Sequence, residues 1–265
     1  MLVPTVAVDT HPVVLAYNAF QVVGIAGSYF SESKNPMPYS KFAVSSKKND
    51  DGTSTTKKMV PSRMGMLIIY VPATIVALAV QWFLLPLIKD STPTVAGWLV
   101  FAHFVKRDLE VLCLHKYSGS TELDAARMIA FVYALTALMI CFVSTPTTEL
   151  ASREVYSGVS LFVVGSLGNL YHHYLLAKLR SDSVRKYVAP KGGLFQFVAA
   201  PHYLFELIAW LGIAVASHQL TGYLNLLSMT MYLSARSQNQ NNWNKNKFSE
   251  KEWPASRKNM VPFVY

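Results

Sequence analysis

Seven apolar runs separated by basic loops constrain the fold of this chain more than any other feature. Most of the runs reach the roughly 17–25 residues that an α-helix needs to cross a bilayer, and the two short final runs fit a helical hairpin. Only 15% of the residues are charged, against roughly 25% in soluble domains. The sequence therefore predicts an all-α polytopic membrane protein with a seven-helix transmembrane bundle. The predicted spans are residues 11–30, 64–88, 95–115, 127–143, 155–178, 202–217 and 220–235.

The distribution of basic residues predicts the orientation of this bundle. With seven spans, 20 of the 24 Lys and Arg residues fall on the side that holds the C-terminus and two fall on the other side. Because cytosolic loops are enriched in Lys and Arg, we expect a lumenal N-terminus and a cytosolic C-terminus. The net charge of +9 is then a topology signal. It does not indicate nucleic acid binding, since the basic loops lack interleaved aromatic residues.

The chain divides into two parts by composition. Residues 1–63 hold the first span and a basic cytosolic loop, in which residues 45–58 are poor in apolar side chains and are expected to be disordered. Residues 64–265 form the expected membrane catalytic domain. The first span follows no basic segment and precedes no small-residue cleavage site, so we interpret it as a retained helix. Cys113 and Cys141 both lie inside spans, which argues against a disulfide.

Common cofactor motifs are missing from the sequence. There is no glycine-rich dinucleotide fingerprint after a strand, no P-loop, and no Cys/His set with the spacing of zinc ligands. We therefore predict no metal. Any nucleotide must be held by the helices and the cytosolic loops.

The third predicted span contains four charged side chains close together. His103, Arg107 and Glu110 fall on one helix face, and Lys106 lies four residues before Glu110, at salt-bridge spacing. A self-neutralising network that only fits a polar helix into the bundle is the simpler interpretation. Ionisable groups at membrane depth are costly and usually functional, and this favours a role in the chemistry.

The fifth span ends in polar side chains. Asn169 and His173 share one helix face, and Arg180 follows two turns later. These residues could simply be interfacial side chains at a helix end. Alternatively, they form a polar wall that hydrogen-bonds the ribose and amide groups of a nucleotide, with Arg180 reaching a phosphate.

The sixth span opens with Pro201, which suits the first turn of a helix. Tyr203 and Glu206 lie three residues apart, and His202 and Glu206 lie four apart. A phenol beside a carboxylate in a low dielectric can donate a proton to a developing enolate. A buried His202–Glu206 hydrogen bond without catalytic meaning is the alternative.

Together these segments resemble the steroid 5-alpha-reductase family of membrane reductases over roughly residues 65–265. The resemblance implies a seven-helix membrane fold that binds NADPH from the cytosolic side and reduces a carbon–carbon double bond conjugated to a carbonyl. The resemblance also assigns a set of residues to the cofactor pocket. The matching segments are 106–118 (KRDLEVLCLHKYS), 168–180 (GNLYHHYLLAKLR), 190–195 (PKGGLF), 201–206 (PHYLFE) and 247–263 (KFSEKEWPASRKNMVPF). The residues assigned to cofactor-pocket positions are Arg107, Asn169, His173, Arg180, His202, Glu206 and Arg236.

The chain departs from the steroid-reducing members of the family at two positions. These members carry a glutamate and a tyrosine where this chain has Tyr70 and Phe104. Lys106 and Tyr203 instead match residues considered catalytic in the related very-long-chain trans-2-enoyl-CoA reductases, although residues 1–60 cannot form the ubiquitin-like region of those enzymes. The stretch 238–244 (QNQNNWN) replaces a cofactor-holding segment with His and Tyr.

The sequence thus predicts a multi-pass reductase of the endoplasmic reticulum membrane that uses NADPH on a lipid, either a 3-oxo-4-ene steroid or a trans-2-enoyl thioester. Tyr203 is the expected proton donor, Lys106 its electrostatic partner, and Glu206 a group that orients the nicotinamide or the phenol. Two alternatives stay open: a non-catalytic membrane scaffold descended from the family, and a membrane methyltransferase that uses S-adenosylmethionine.

Overall fold

The computed structural model describes residues 6–37, 58–89, 94–180 and 187–265, and within these ranges the chain folds into seven α-helices. The segment expected to be disordered lies outside the described residues, apart from Lys58. Helices α2 and α3 each continue into a π-helical stretch, Val80–Lys89 and Glu110–Leu114 respectively. The helices are α1 Pro12–Lys34, α2 Ser62–Ala79, α3 Val95–Leu109, α4 Leu123–Val143, α5 Ser152–Lys178, α6 Pro201–Ser217 and α7 Leu220–Lys247. The smaller elements are strands β1 Met59–Pro61 and β2 Ser120–Glu122, and the 3-10 turns Thr147–Glu149 and Gly193–Gln196.

Three of the described helices are long and apolar enough to cross a membrane: Pro12–Lys34, Ser62–Leu87 and Leu123–Val143. Their outer faces expose large apolar side chains, such as Phe20, Ile75 and Phe131, at 60–68% of their accessible area. Exposed apolar surface of this extent suits contact with lipid. The membrane character predicted from the sequence is thus supported, while the orientation in the bilayer remains a prediction.

Helix α7 continues twelve residues beyond the end of the predicted seventh span. The span was placed by hydropathy, and hydropathy falls after Ala235 because the following residues are mostly amides and cations. Backbone hydrogen bonding in a helix does not need apolar side chains, and the residues 238–244 stay helical. The amide-rich stretch 238–244 is therefore part of α7.

Connections between helix ends form two opposite groups. At one end, residue Ala7 pairs with Gln219 in the α6–α7 turn, and Thr145 N donates to Ser217 O at 3.1 Å. At the other end, β1 and β2 form a two-stranded antiparallel sheet before α2 and α4, and Val198 pairs with Lys258. This alternation of ends is the one that seven successive spans require.

Glycines bring α5 and α6 into close contact. A Cβ atom on Gly165 would overlap the backbone of Ala209, and one on Gly158 would lie 2.9 Å from the carbonyl oxygen of Gly212. Small residues at helix interfaces in membranes allow such backbone approach. The close packing fixes the polar end of α5 against the polar start of α6, and these two segments supply most of the candidate site.

Candidate active site

A buried carboxylate, Glu110, lies at the centre of a polar cluster where α3, α5 and α6 meet. Its side chain is 3% exposed and binds Lys106 Nζ at 2.9 Å, Arg107 Nη1 at 3.3 Å and His173 Nδ1 at 3.0 Å. The pair predicted from the spacing of Lys106 and Glu110 is confirmed. Such a charge can be buried only because its partners compensate for the lost hydration.

Asn169 joins three helices at this cluster. Its Oδ1 accepts a hydrogen bond from Lys106 Nζ at 2.5 Å, and its Nδ2 donates to the carbonyl oxygen of His202 at 2.9 Å. Asn169 and His173 both face α3, which confirms the shared helix face predicted for them. The Lys106 ammonium group is thus held by two acceptors, and the Lys106 side chain is 17% exposed.

Glu206 does not bind the partners that its spacing suggested. Its Oε1 lies 3.3 Å from His103 Nε2 on the facing helix α3. The side chain of Tyr203 instead hydrogen-bonds Arg236 on α7. Spacing along α6 allows contacts with His202 or Tyr203, but a partner on another helix is nearer, and tertiary packing of this kind cannot be read from one helix alone. The alternative interpretation, a buried His202–Glu206 pair, does not describe Glu206 here, since its ion-pair partner is His103.

Two arginines assigned to the cofactor are already bound to other groups of this chain. Arg236 pairs with Glu32 of α1 at 2.6 Å, with both side chains 2% exposed, and also donates to the carbonyl oxygen of Met37. Arg180 lies just beyond α5, is exposed, and donates to the carbonyl oxygen of Lys116. Neither arginine shares a bond with Glu110 in the described structure, so the assigned cofactor residues form separate groups.

A small cavity of about 10 Å³ lies beside the Glu110 cluster. At its edge the Tyr70 hydroxyl accepts a hydrogen bond from Arg107 Nη2 at 2.5 Å. Phe104 is buried against Tyr133 and Trp210. The sequence marked Tyr70 and Phe104 only as departures from the family, and the structure brings both to one place. The cavity is lined by Tyr70, His103, Phe104, Arg107, Tyr133, Glu206, Trp210 and Met229.

The amides of α7 hold other segments of the chain. Asn241, 2% exposed, accepts from Trp253 Nε1 at 2.9 Å and donates both to Arg257 O and to Asn259 Oδ1 at 2.9 Å. Asn239 donates to the carbonyl oxygen of Glu32 at 2.7 Å. Sequence analysis missed this role because the partners are distant in the chain. The amide stretch therefore anchors α1 and the C-terminal segment.

Glu110, His115 and His173 have the spacing of a metal site, since their ligand atoms lie within 4.8 Å of one another. However, Lys106 and Arg107 already bind the same carboxylate. Two fixed positive charges at the ligand position oppose a divalent cation. The prediction of no metal stays a prediction, and this charge balance supports it.

Several buried polar atoms have no hydrogen-bond partner in the described part of the chain, and His202 Nδ1 and Trp210 Nε1 near the cluster are among them. Buried polar groups are normally satisfied, and an unsatisfied one can indicate a ligand. Together with the partly exposed side chain of Lys106, they offer hydrogen-bonding groups that suit the polar part of a nicotinamide nucleotide. The residues present therefore fit the cofactor that the sequence suggested.

Comparison with known proteins identifies the family. Residues 125–265 match the family model described as 3-oxo-5-alpha-steroid 4-dehydrogenase. The chain is 28% identical over 165 residues to a very-long-chain enoyl-CoA reductase of Dictyostelium discoideum, covering 61% of this chain and 55% of that protein. It is 36% identical over 108 residues to 3-oxo-5-alpha-steroid 4-dehydrogenase 1 of Rattus norvegicus, covering 41% of each.

A steroid 5-alpha-reductase of Arabidopsis thaliana is 35% identical over 108 residues, again 41% of each chain. The matched segment thus spans about half or less of the curated relatives' own length. The family model, in contrast, covers more than half of this chain and includes α4 to α7 with the polar ends of α5 and α6. The chain accordingly belongs to the 3-oxo-5-alpha-steroid 4-dehydrogenase family, that is, the steroid 5-alpha-reductases and their relatives.

Proposed function

We propose that this chain is a membrane-bound reductase of a carbon–carbon double bond conjugated to a carbonyl in a lipid, with NADPH as the reductant. The observation that carries the proposal is the buried cluster in which Glu110 binds Lys106, Arg107 and His173, set inside the helices of a family member. Two relatives whose names include reductase, at 28% and 35% identity, support it.

The reaction needs a hydride, a proton and a group that stabilises negative charge. When bound, NADPH supplies the hydride, which adds to the β-carbon of the substrate while electron density moves to the carbonyl oxygen. A side-chain acid supplies the proton, so that the C=C bond becomes a CH–CH unit and NADP⁺ is released. Fixed positive groups near the carbonyl oxygen lower this barrier because the charge appears only in the transition state.

We assign the proton to Tyr203 and the electrostatic stabilisation to Lys106, as the sequence suggested. Lys106 is suited to this role because Asn169 and Glu110 hold its ammonium group, while part of the Lys106 side chain stays exposed. Glu206, paired with His103 beside the small cavity, would orient the nicotinamide. Asn169, His173, His202 and Arg107 would line the nucleotide, and Arg180 and Arg236 would reach its phosphates.

Among lipid substrates, we favour a trans-2-enoyl thioester over a 3-oxo-4-ene steroid. Phe104 has no hydroxyl to offer a ketone, and it is packed against Trp210 and Tyr133. The relative that matches over the longest segment of the three is named an enoyl-CoA reductase. We further propose the endoplasmic reticulum membrane as the location, with the polar cluster on its cytosolic side.

The test is consumption of NADPH by the full chain purified in detergent, with a long-chain trans-2-enoyl-CoA or 3-oxo-4-ene steroid as substrate, and with the product mass determined. We expect a saturated product two mass units heavier, with NADPH preferred over NADH. The Lys106→Met variant, which keeps most of the side-chain length but removes the charge, should lose at least 100-fold in kcat. Binding of S-adenosylmethionine with methyl transfer would point to the methyltransferase alternative.

One observation favours a second candidate, a non-catalytic membrane scaffold. Arg236 is fully engaged by Glu32 inside the fold, so a phosphate must displace Glu32 before it can bind that arginine. A scaffold would keep an intact fold and bind neither NADPH nor S-adenosylmethionine at millimolar concentration. Selective NADPH binding would exclude this candidate.

A further inference from the structure

A second polar pocket, of about 290 Å³, lies between the C-terminal end of α7 and the segment that follows it. Three of its lining residues are cations, Lys245, Arg257 and Lys258, and no Asp or Glu side chain is among the described residues that line it. A concave surface lined by basic side chains attracts anions. The other lining residues are Asn241, Ala255, Ser256, Asn259, Val264 and Tyr265.

Arg257 is one of the three cations that line this pocket. Its guanidinium group lies 3.9 Å above the ring of Trp253, and its Nε and Nη1 are buried with no hydrogen-bond acceptor in the described part of the chain. Burial lowers the pKa of Arg257, which is the direction expected for a cation without a nearby counter-ion. Buried polar nitrogens are normally paired, so these two unpaired nitrogens of the half-buried Arg257 point to an anionic ligand.

The backbone around the pocket is fixed rather than loose. Asn241 binds the carbonyl oxygen of Arg257 and the side chain of Asn259, and Trp253 binds Asn241. The backbone N–H of Lys258 donates to the carbonyl oxygen of Phe197, in the segment just before α6, at 3.0 Å. A site on anchored backbone can hold a ligand in one orientation without a large ordering cost.

We propose that this pocket binds a phosphate monoester. The planar guanidinium of arginine and the ammonium groups of lysine can donate hydrogen bonds to the three oxygens of such a group. A doubly charged monoester also complements three cations better than a singly charged carboxylate does. A ribose phosphate of a soluble nucleotide or the phosphate of a lipid headgroup could supply it. Asn241 lies five residues beyond Arg236 on α7, about 7.5 Å along the axis, so the pocket is at the same end as the candidate active site.

For nucleotides the proposal rests on the proposed function, since NADPH and a CoA thioester each carry one ribose phosphate monoester. The test is therefore direct binding to the purified full chain, which needs no activity. NADPH is compared with NADH, CoA with 3′-dephospho-CoA, and nanodiscs containing phosphatidic acid with nanodiscs of phosphatidylcholine. The Arg257→Gln variant is compared with the natural sequence in each arm, by titration calorimetry or by thermal shift.

We expect Arg257→Gln to weaken one of the three phosphate-bearing ligands about tenfold, as loss of a charge-assisted contact does, and to leave its partner without the monoester unchanged. The arm that responds identifies the source of the phosphate. Because Arg257 also packs on Trp253, Lys258→Gln provides a second variant with an exposed side chain, and the exposed Lys247→Gln is the matched control outside the pocket. If the natural chain, Arg257→Gln and Lys258→Gln bind each of the three phosphate-bearing ligands with equal affinity, the pocket proposal is wrong. That result would leave the proposed reductase function standing as long as the chain still binds and consumes NADPH.

Discussion

At the residue scale, the identity of the proton donor can be decided between two phenols. The Tyr203 hydroxyl group is bound to Arg236, and the Tyr70 hydroxyl group is bound to Arg107 beside the small cavity. If Tyr203 is the donor, Tyr203→Phe should lower kcat by about 100-fold or more, since general acid catalysis contributes 10²–10⁴. Tyr70→Phe should then change kcat by less than tenfold, in single-turnover assays with both variants folded. The opposite ranking would move the donor role to Tyr70.

Glu110 carries a prediction about stability. Its carboxylate is the shared counter-ion of Lys106 and Arg107, and it is 3% exposed. Glu110→Gln keeps the shape but removes the carboxylate that pairs with both cations, so we expect a loss of about 3 kcal/mol, as for other broken buried pairs. Thermal unfolding in detergent measures it. The exposed Glu250→Gln is the control and should unfold at the same temperature as the natural chain.

Residue types and local spacing were readable from the sequence at this scale. The Lys106–Glu110 pair and the common face of Asn169 and His173 follow from helical periodicity alone, and both are confirmed. Partners on other helices could not be predicted. His103 takes Glu206, and Glu32 takes Arg236, because helix packing sets which side chains meet, and one sequence does not contain that geometry.

At the element scale, the amides of α7 replace apolar packing with hydrogen bonds. Asn241→Ala would remove three bonds and leave Trp253 Nε1 buried without an acceptor. An unsatisfied buried donor costs about 1–3 kcal/mol, so we expect lower thermal stability and faster proteolysis after α7. Asn242→Ala, next to it but exposed, should have neither effect. If both variants behave alike, Asn241 does not hold the C-terminal segment.

Helix number could be predicted from hydropathy, but helix ends could not. The apolar run stops near Ala235, while α7 continues to Lys247, because its amides find partners on α1 and on the C-terminal segment. Hydropathy reports the cost of lipid contact, not the propensity of the backbone to stay helical. The same limit explains why the sequence placed the end of α1 near Phe30, four residues before its observed end.

At the scale of the whole molecule, the two opposite groups of helix ends make the predicted topology testable. The ends joined through Ala7, Thr145 and Ser217 hold few cations, and the ends joined through β1, β2 and Lys258 hold most of them. Because basic loops stay in the cytosol, the second group should face the cytosol, together with the Glu110 cluster and the second polar pocket.

Single-cysteine labelling in sealed microsomes checks this orientation. In a background without Cys113 and Cys141, a cysteine at Ser249 should react with a membrane-impermeant maleimide at once. A cysteine at exposed Arg153 should react only after the membrane is permeabilised. This orientation would place the proposed cofactor residues where cytosolic NADPH could reach them, since they lie toward the Ser249 end of the helices. Immediate labelling at Arg153 with protection at Ser249 would invert the bundle and remove the proposed route for NADPH.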